Sequence, residues 1–230
     1  MNNFKIKTGW KQIVKWALVG IVGILVLVFF IRVAVWEHDY YERMEGSERE
    51  VTETVEWQEE LEEKVPTEEE VKEYTVAADR PRYLSIEKLG ISNARVLAMG
   101  VNAKGALNTP ANIFDVGWYN ASGKPGQGRV MIIDGHNGGP HMYGVFKKLP
   151  DLVEGDIIKI ERGDGAVFKY SVVENTTVSI DEADKYMNTL AKKPAISDKE
   201  GLTLISCTGE WSQKQKTYLS RQFVRAVLVE

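Results

Sequence analysis

The chain has 230 residues, 43% of them hydrophobic, enough for one packed domain of ordinary size with additional segments. A net charge of −4 without a basic aromatic patch argues against nucleic-acid binding. One cysteine and three scattered histidines argue against a tight metal site, and one cysteine cannot form an intrachain disulfide.

Residues 1–36 hold five basic residues (Lys5, Lys7, Lys11, Lys15 and Arg32) and no acidic one. From Trp16 to Trp36 the sequence reads WALVGIVGILVLVFFIRVAVW, with Arg32 as its only charge. About 20 consecutive apolar residues form a helix long enough to span a bilayer. Arg32 near one end can snorkel to the interface, and the two tryptophans fall where an aromatic belt lies. A core helix is rarely apolar on every face for so long. A signal peptide has an apolar region of roughly 7–15 residues and small residues at its cleavage site. The following VAVWEHDYYE offers no such site. The expectation is a cytoplasmic basic tail over 1–15 and an uncleaved transmembrane helix over 16–36. By the positive-inside rule the remainder is extracellular, in a single-pass plasma-membrane protein. In that compartment an unpaired Cys207 is buried, intermolecular or reactive.

Residues 37–80 carry 17 acidic and 5 basic residues. Val51, Val55, Leu61 and Val65 trace a helical stripe that Pro66 cuts. This predicts an acidic, solvated and partly helical stalk. A coiled coil or an inhibitory lid would need sustained heptads, which are absent.

From residue 81 the balance changes to 19 basic and 16 acidic residues, and β-type patterns dominate. RYLSIEKLGI and NARVLAM read as short strands joined by a glycine turn, and GRVMIIDGH as a glycine-led apolar strand. GDIIKIERGDGAVFKYSVVENTTVSI reads as a hairpin with GDG at its turn. The polar DEADKYMNTLAKKPAISDKE holds a helical turn, and GLTLISC and YLSRQFVRAVLVE supply two closing strands. Seven or eight strands with short helices predict a mostly β domain over 81–230, a closed barrel or a sandwich. The carboxylates of ENTTVSIDEAD lack the spacing of a calcium loop.

Three residue types then carry chemistry. His136 closes the strand VMIIDGH and enters the glycine-rich NGGPHMYG, which also holds His141; His38 lies just past the apolar run. Cys207 follows the apolar run Leu202–Ile205. Arg221 and Arg225 share one face of the last strand. The ordinary account is a loop histidine, salt-bridged arginines and a buried thiol. The alternative is acyl transfer: a thiolate attacks a carbonyl, histidine protonates the leaving amine, and arginine stabilises the oxyanion. Asp134 would raise the pKa of His136 if its carboxylate lies close.

These residues resemble the sortases, the membrane-anchored cysteine transpeptidases of Gram-positive bacteria. TLISC resembles the family's T-L-x-T-C strand end, with Ser206 at the second threonine. VMIIDGH resembles the strand bearing the family's histidine, and SRQFVRA the closing strand bearing its arginine. VGWYNASGKPGQGRV resembles a segment of the class E and F subgroups, and the order His, Cys, Arg agrees. The adjacent histidine and arginine of the L,D-transpeptidase cysteine motif are missing from LISCTGEW. The resemblance implies a closed eight-stranded β-barrel with His136, Cys207 and Arg221 catalytic, Ser206 a hydrogen-bonding neighbour of the substrate or oxyanion, and Arg225 structural. It implies no cofactor. The implied partners are a secreted protein with a C-terminal sorting signal similar to Leu-Pro-x-Thr-Gly, and an amine acceptor from a cell-wall precursor or a pilin lysine. Two readings stay open beside it: a cysteine peptidase releasing to water, and a non-enzymatic tethered barrel that binds wall components.

Overall fold

Strands with apolar residues on alternating positions bury one face, and eight of them close into a barrel here. They are β1 (Pro81–Ile86), β2 (Ile91–Met99), β3 (Val116–Tyr119), β4 (Val130–Gly135), β5 (Ile157–Arg162), β6 (Val167–Ser179), β7 (Gly201–Ser212) and β8 (Thr217–Leu228). Around the barrel the order is β1-β2-β3-β4-β7-β8-β6-β5. The β2–β3 and β4–β7 pairs are parallel and the others antiparallel. This computed structural model describes Arg32 and residues 61–102 and 105–230. The expected basic tail, the apolar span apart from Arg32, and stalk residues 37–60 with His38 lie outside the described residues. Among the described residues no helix is long and apolar enough to cross a membrane.

The three central strands are apolar on both faces, because each face has its own cover. Met131 and Ile133 of β4, Leu202 and Leu204 of β7, and Val224 and Ala226 of β8 fill the barrel interior with Trp118, Phe146 and Tyr170. The alternate residues Val130, Ile132, Ile205 and Phe223 form a second cluster. Helix α2 (Ile180–Tyr186) covers that cluster through Ala183 and Tyr186, and Met187 adds to it. This outer face carries the candidate site. The helix falls in the polar segment where a helical turn was expected, and it continues into one wider turn over Met187–Ala191.

The GDG hairpin is present as β5–β6, with Gly165 at φ 86°. β3 did not read as a strand, because four residues with a central glycine carry too little pattern. The C-terminal part of the acidic segment, residues 61–80, runs along the barrel. Its helix α1 (Glu68–Glu73) starts after Pro66 with a capping box: Thr67 Oγ1 accepts from the Glu70 amide at 3.2 Å, and Glu70 Oε2 accepts from the Thr67 amide at 2.7 Å. Tyr74 Oη donates to the Val96 carbonyl at 2.6 Å, and Arg82 Nε donates to the Tyr74 carbonyl at 2.8 Å.

The PGQG turn is fixed by the residue that precedes β7, the neighbour of β4. Glu200, 6% exposed, accepts from the amides of Gly126 (2.9 Å) and Gly128 (2.6 Å) and from Tyr170 Oη (2.6 Å). Both glycines have left-handed φ angles, 84° and 70°, which orient their amides this way. Burial, and then Glu200, push the Tyr170 hydroxyl far above its ordinary pKa. Glu200→Ala leaves three donors without a partner, and is expected to cost about 2–4 kcal/mol in urea unfolding, with Glu200→Gln well below that.

Candidate active site

Cys207 owes its position to the end of β4. The β4–β7 ladder closes at Asp134↔Ile205, so Cys207 lies two residues beyond the last rung. β7 itself runs on to Ser212, so the thiol sits within a strand whose one neighbour has ended, rather than at a strand tip. On its other side Cys207 stands opposite Arg221 of β8. His136 follows β4 directly. Residues 136, 207 and 221 therefore meet because β4, β7 and β8 are neighbours. All three line one open cavity of about 420 Å³, walled by Leu107, Ile205, Phe223 and Met187.

The electrostatics of the three differ. Burial pushes the Cys207 thiol above its ordinary pKa; Arg221 opposes this and Asp134 adds to it. Burial lowers the pKa of half-buried His136, partly offset by a hydrogen bond with the Pro110 carbonyl. That oxygen lies 2.7 Å from Nε2. A carbonyl only accepts, so Nε2 carries the proton and Nδ1 is left for proton transfer. Burial thus favours a neutral thiol and a neutral imidazole at rest. The expected upward push of Asp134 on His136 is not found: the carboxylate acts on Cys207, across the β4–β7 pair. Arg221 is held along its own strand, with Nη1 donating to the Tyr218 carbonyl (2.8 Å) and the Ser220 carbonyl (3.0 Å), and Nη2 to Thr217 Oγ1 (3.1 Å).

Ser206, next to the thiol, points to the opposite face of β7. It is 3% exposed, and its hydroxyl donates to the Gly135 carbonyl at 2.9 Å. This bond ties the Cys207 strand to the residue preceding His136. Arg225 Nη1 pairs with Glu174 and Nη2 donates to the Lys193 carbonyl at 3.2 Å, which fixes the α2 side of the barrel. His141 is exposed.

Two contributions had no signal in the sequence. The Pro110 carbonyl that orients His136 is a backbone atom. Glu63 lies far away in sequence, yet its Oε1 accepts from the amides of His141 and Met142, both at 2.8 Å. Those bonds hold its carboxyl below the usual range. Glu62 bridges to Asn112, and Leu61 lines the cavity. Among the described residues no group of three or more His, Cys, Asp or Glu side chains is placed to hold a metal ion.

The family model described as the sortase domain matches residues 84–229. The chain belongs to the sortase family. The match runs from β1 through β8 and includes His136, Cys207 and Arg221. Among solved structures, this sortase is similar to sortase C of Streptococcus pneumoniae, with 19% identity over 74% of this chain and 76% of that one and a TM-score of 0.48. It is similar to sortase A from Corynebacterium diphtheriae, with 26% identity over 67% and 63% of the two chains and a TM-score of 0.46. For the sortase D5 transpeptidase of Clostridium perfringens the values are 22%, 72%, 90% and 0.46. No curated protein matches the sequence.

Proposed function

We propose that this sortase is a membrane-anchored cysteine transpeptidase that cleaves a C-terminal, Leu-Pro-x-Thr-Gly-like sorting signal of secreted proteins and transfers the acyl part to an amine. The observation that carries the reading is the pairing of Cys207 with Arg221 across β7–β8, with His136 at the end of the adjoining strand, in one cavity. The neutral resting pair becomes reactive when the Cys207 proton passes to His136 Nδ1. The thiolate then attacks the Thr–Gly carbonyl, and Arg221 stabilises the oxyanion of the tetrahedral intermediate. His136 returns the proton to the glycine nitrogen as the peptide bond breaks, leaving a thioacyl bond on Cys207. An amine from a cell-wall precursor or a pilin lysine attacks that bond, gives its proton to His136, and releases the product and the thiol. The apolar span 16–36 and the basic tail before it support an extracellular catalytic domain, where enzyme and secreted substrate meet at one membrane surface.

The test is product analysis of the full chain with a panel of sorting-signal peptides, with and without a primary-amine acceptor. The expected result is an amide product that outcompetes the free acid once amine is present. Cleavage whose products are unchanged by amine would make the enzyme a peptidase, and no cleavage of any signal would remove the reading.

A further inference from the structure

Asp134 is the last residue of β4 on the outer face before His136, after Val130 and Ile132 of the apolar cluster. It is a carboxyl only 8% exposed. Oδ2 accepts a hydrogen bond from Thr109 Oγ1 at 2.6 Å, a neutral donor rather than a cation. Gly117, opposite it on β3, makes the room: a Cβ there would collide with Asp134 Oδ1 and stand 2.9 Å from Met99 Cγ. The carboxyl lines the same cavity as Cys207 and His136. The transfer mechanism makes no use of it.

We propose that Asp134 is a positioning residue for the transfer reaction: it presents a neutral carboxyl to Cys207 while the thiolate forms, and opposes the thiolate once it is ionised. The geometry supports this from several sides. The side chain is enclosed by β3, β4 and β7 and by the Thr109 segment, and its one hydroxyl partner leaves a full negative charge poorly solvated. Burial pushes its pKa up to about 7, against the pull of Thr109 and of its own amide. The titratable and charged groups around it are His136 at the end of β4, Cys207 on β7, Arg221 and Tyr218 on β8, Asp184 on α2 and Tyr119 on β3. The Asp134 charge acts on Cys207, raising the thiol in addition to burial. Below about pH 7 the carboxyl is neutral and the thiolate is unopposed. As pH rises through that range a second negative charge must form beside the first, so thiolate formation is delayed.

The proposal rests on Cys207 as the nucleophile, but its test reads the thiol directly. Cys207 is the only cysteine, so iodoacetamide alkylation of the full chain between pH 6 and 10 reports it alone. In the wild type the rate is expected to climb by less than tenfold per pH unit around pH 7. In Asp134→Asn that flattening disappears and alkylation above pH 8 is several-fold faster. Thr109→Val removes the bond that favours the ionised carboxyl. Its rate is expected to rise about twofold or more at pH 7.5 and to equal the wild-type rate at pH 9.5, a pattern that loosened packing does not produce. Wild-type rates in both variants across the range overturn the proposal, and if Asp134→Asn fails to fold, Thr109→Val decides. Peptide transfer is measured in parallel. Transfer with unshifted alkylation defeats this inference alone, and shifted alkylation without transfer of any signal defeats the transpeptidase reading alone.

Discussion

Cys207→Ala is expected to lower acyl transfer by at least about 10³-fold, to the level left by binding and oxyanion stabilisation alone. No second thiol can substitute, since the chain has one cysteine. The loss should fall on kcat with little change in KM, because the sulfur acts in bond formation and offers little surface to the bound signal. Stability should change little. Cys207 is half-buried beyond the last β4–β7 rung, and alanine keeps the strand pairing with β8. Cys207→Ser should be nearly as inactive: burial already raises the thiol, and it would oppose an alkoxide far more strongly. Steady-state kinetics with circular dichroism separates this outcome from unfolding.

Arg221→Ala is expected to cost about 10²–10³-fold in kcat, the range for removing one oxyanion donor. A second effect accompanies it. Arg221 lowers the Cys207 pKa, so the alkylation midpoint should move to higher pH in the variant. Arg221→Lys should recover only part of the activity. Three hydrogen bonds from two guanidinium nitrogens set the direction of the group, and an ammonium on a flexible stem cannot copy that fork. Arg225→Ala is the contrast on the same strand face: it takes the cation from Glu174, which keeps its Tyr186 and Thr176 donors, and should lower stability, with catalysis per folded molecule nearly kept. Equal kinetic losses in Arg221→Ala and Arg225→Ala would mean that the closing strand contributes shape rather than a catalytic group.

The barrel was legible where pattern was strong. The glycine turn between β1 and β2, the GDG hairpin and the two closing strands each carry their own local signal. β3 was not, because a short strand is defined by its neighbours β2 and β4 rather than by its own four residues. The candidate triad was legible because all three side chains come from long apolar strands or their ends, and because their motifs resemble one family in order. Their supports were hidden. Pro110 acts through a carbonyl, Glu63 through a contact across about 80 residues, and Gly117 through an absent side chain. Asp134 was visible as an odd charge beside His136. Its target changed once the parallel β4–β7 register placed it near Cys207. Sequence distance ranked the neighbours wrongly, because a strand's closest partners lie across the ladder.

The most direct test is intact-mass spectrometry of the full chain, acid-quenched within the first turnovers on a sorting-signal peptide without amine. The expected result is an adduct equal to the acyl half of the peptide, mapped to Cys207, absent from Cys207→Ala and discharged when amine is added. Peptide cleavage that proceeds with Cys207 unmodified, or an adduct mapped to any other residue, would contradict the account.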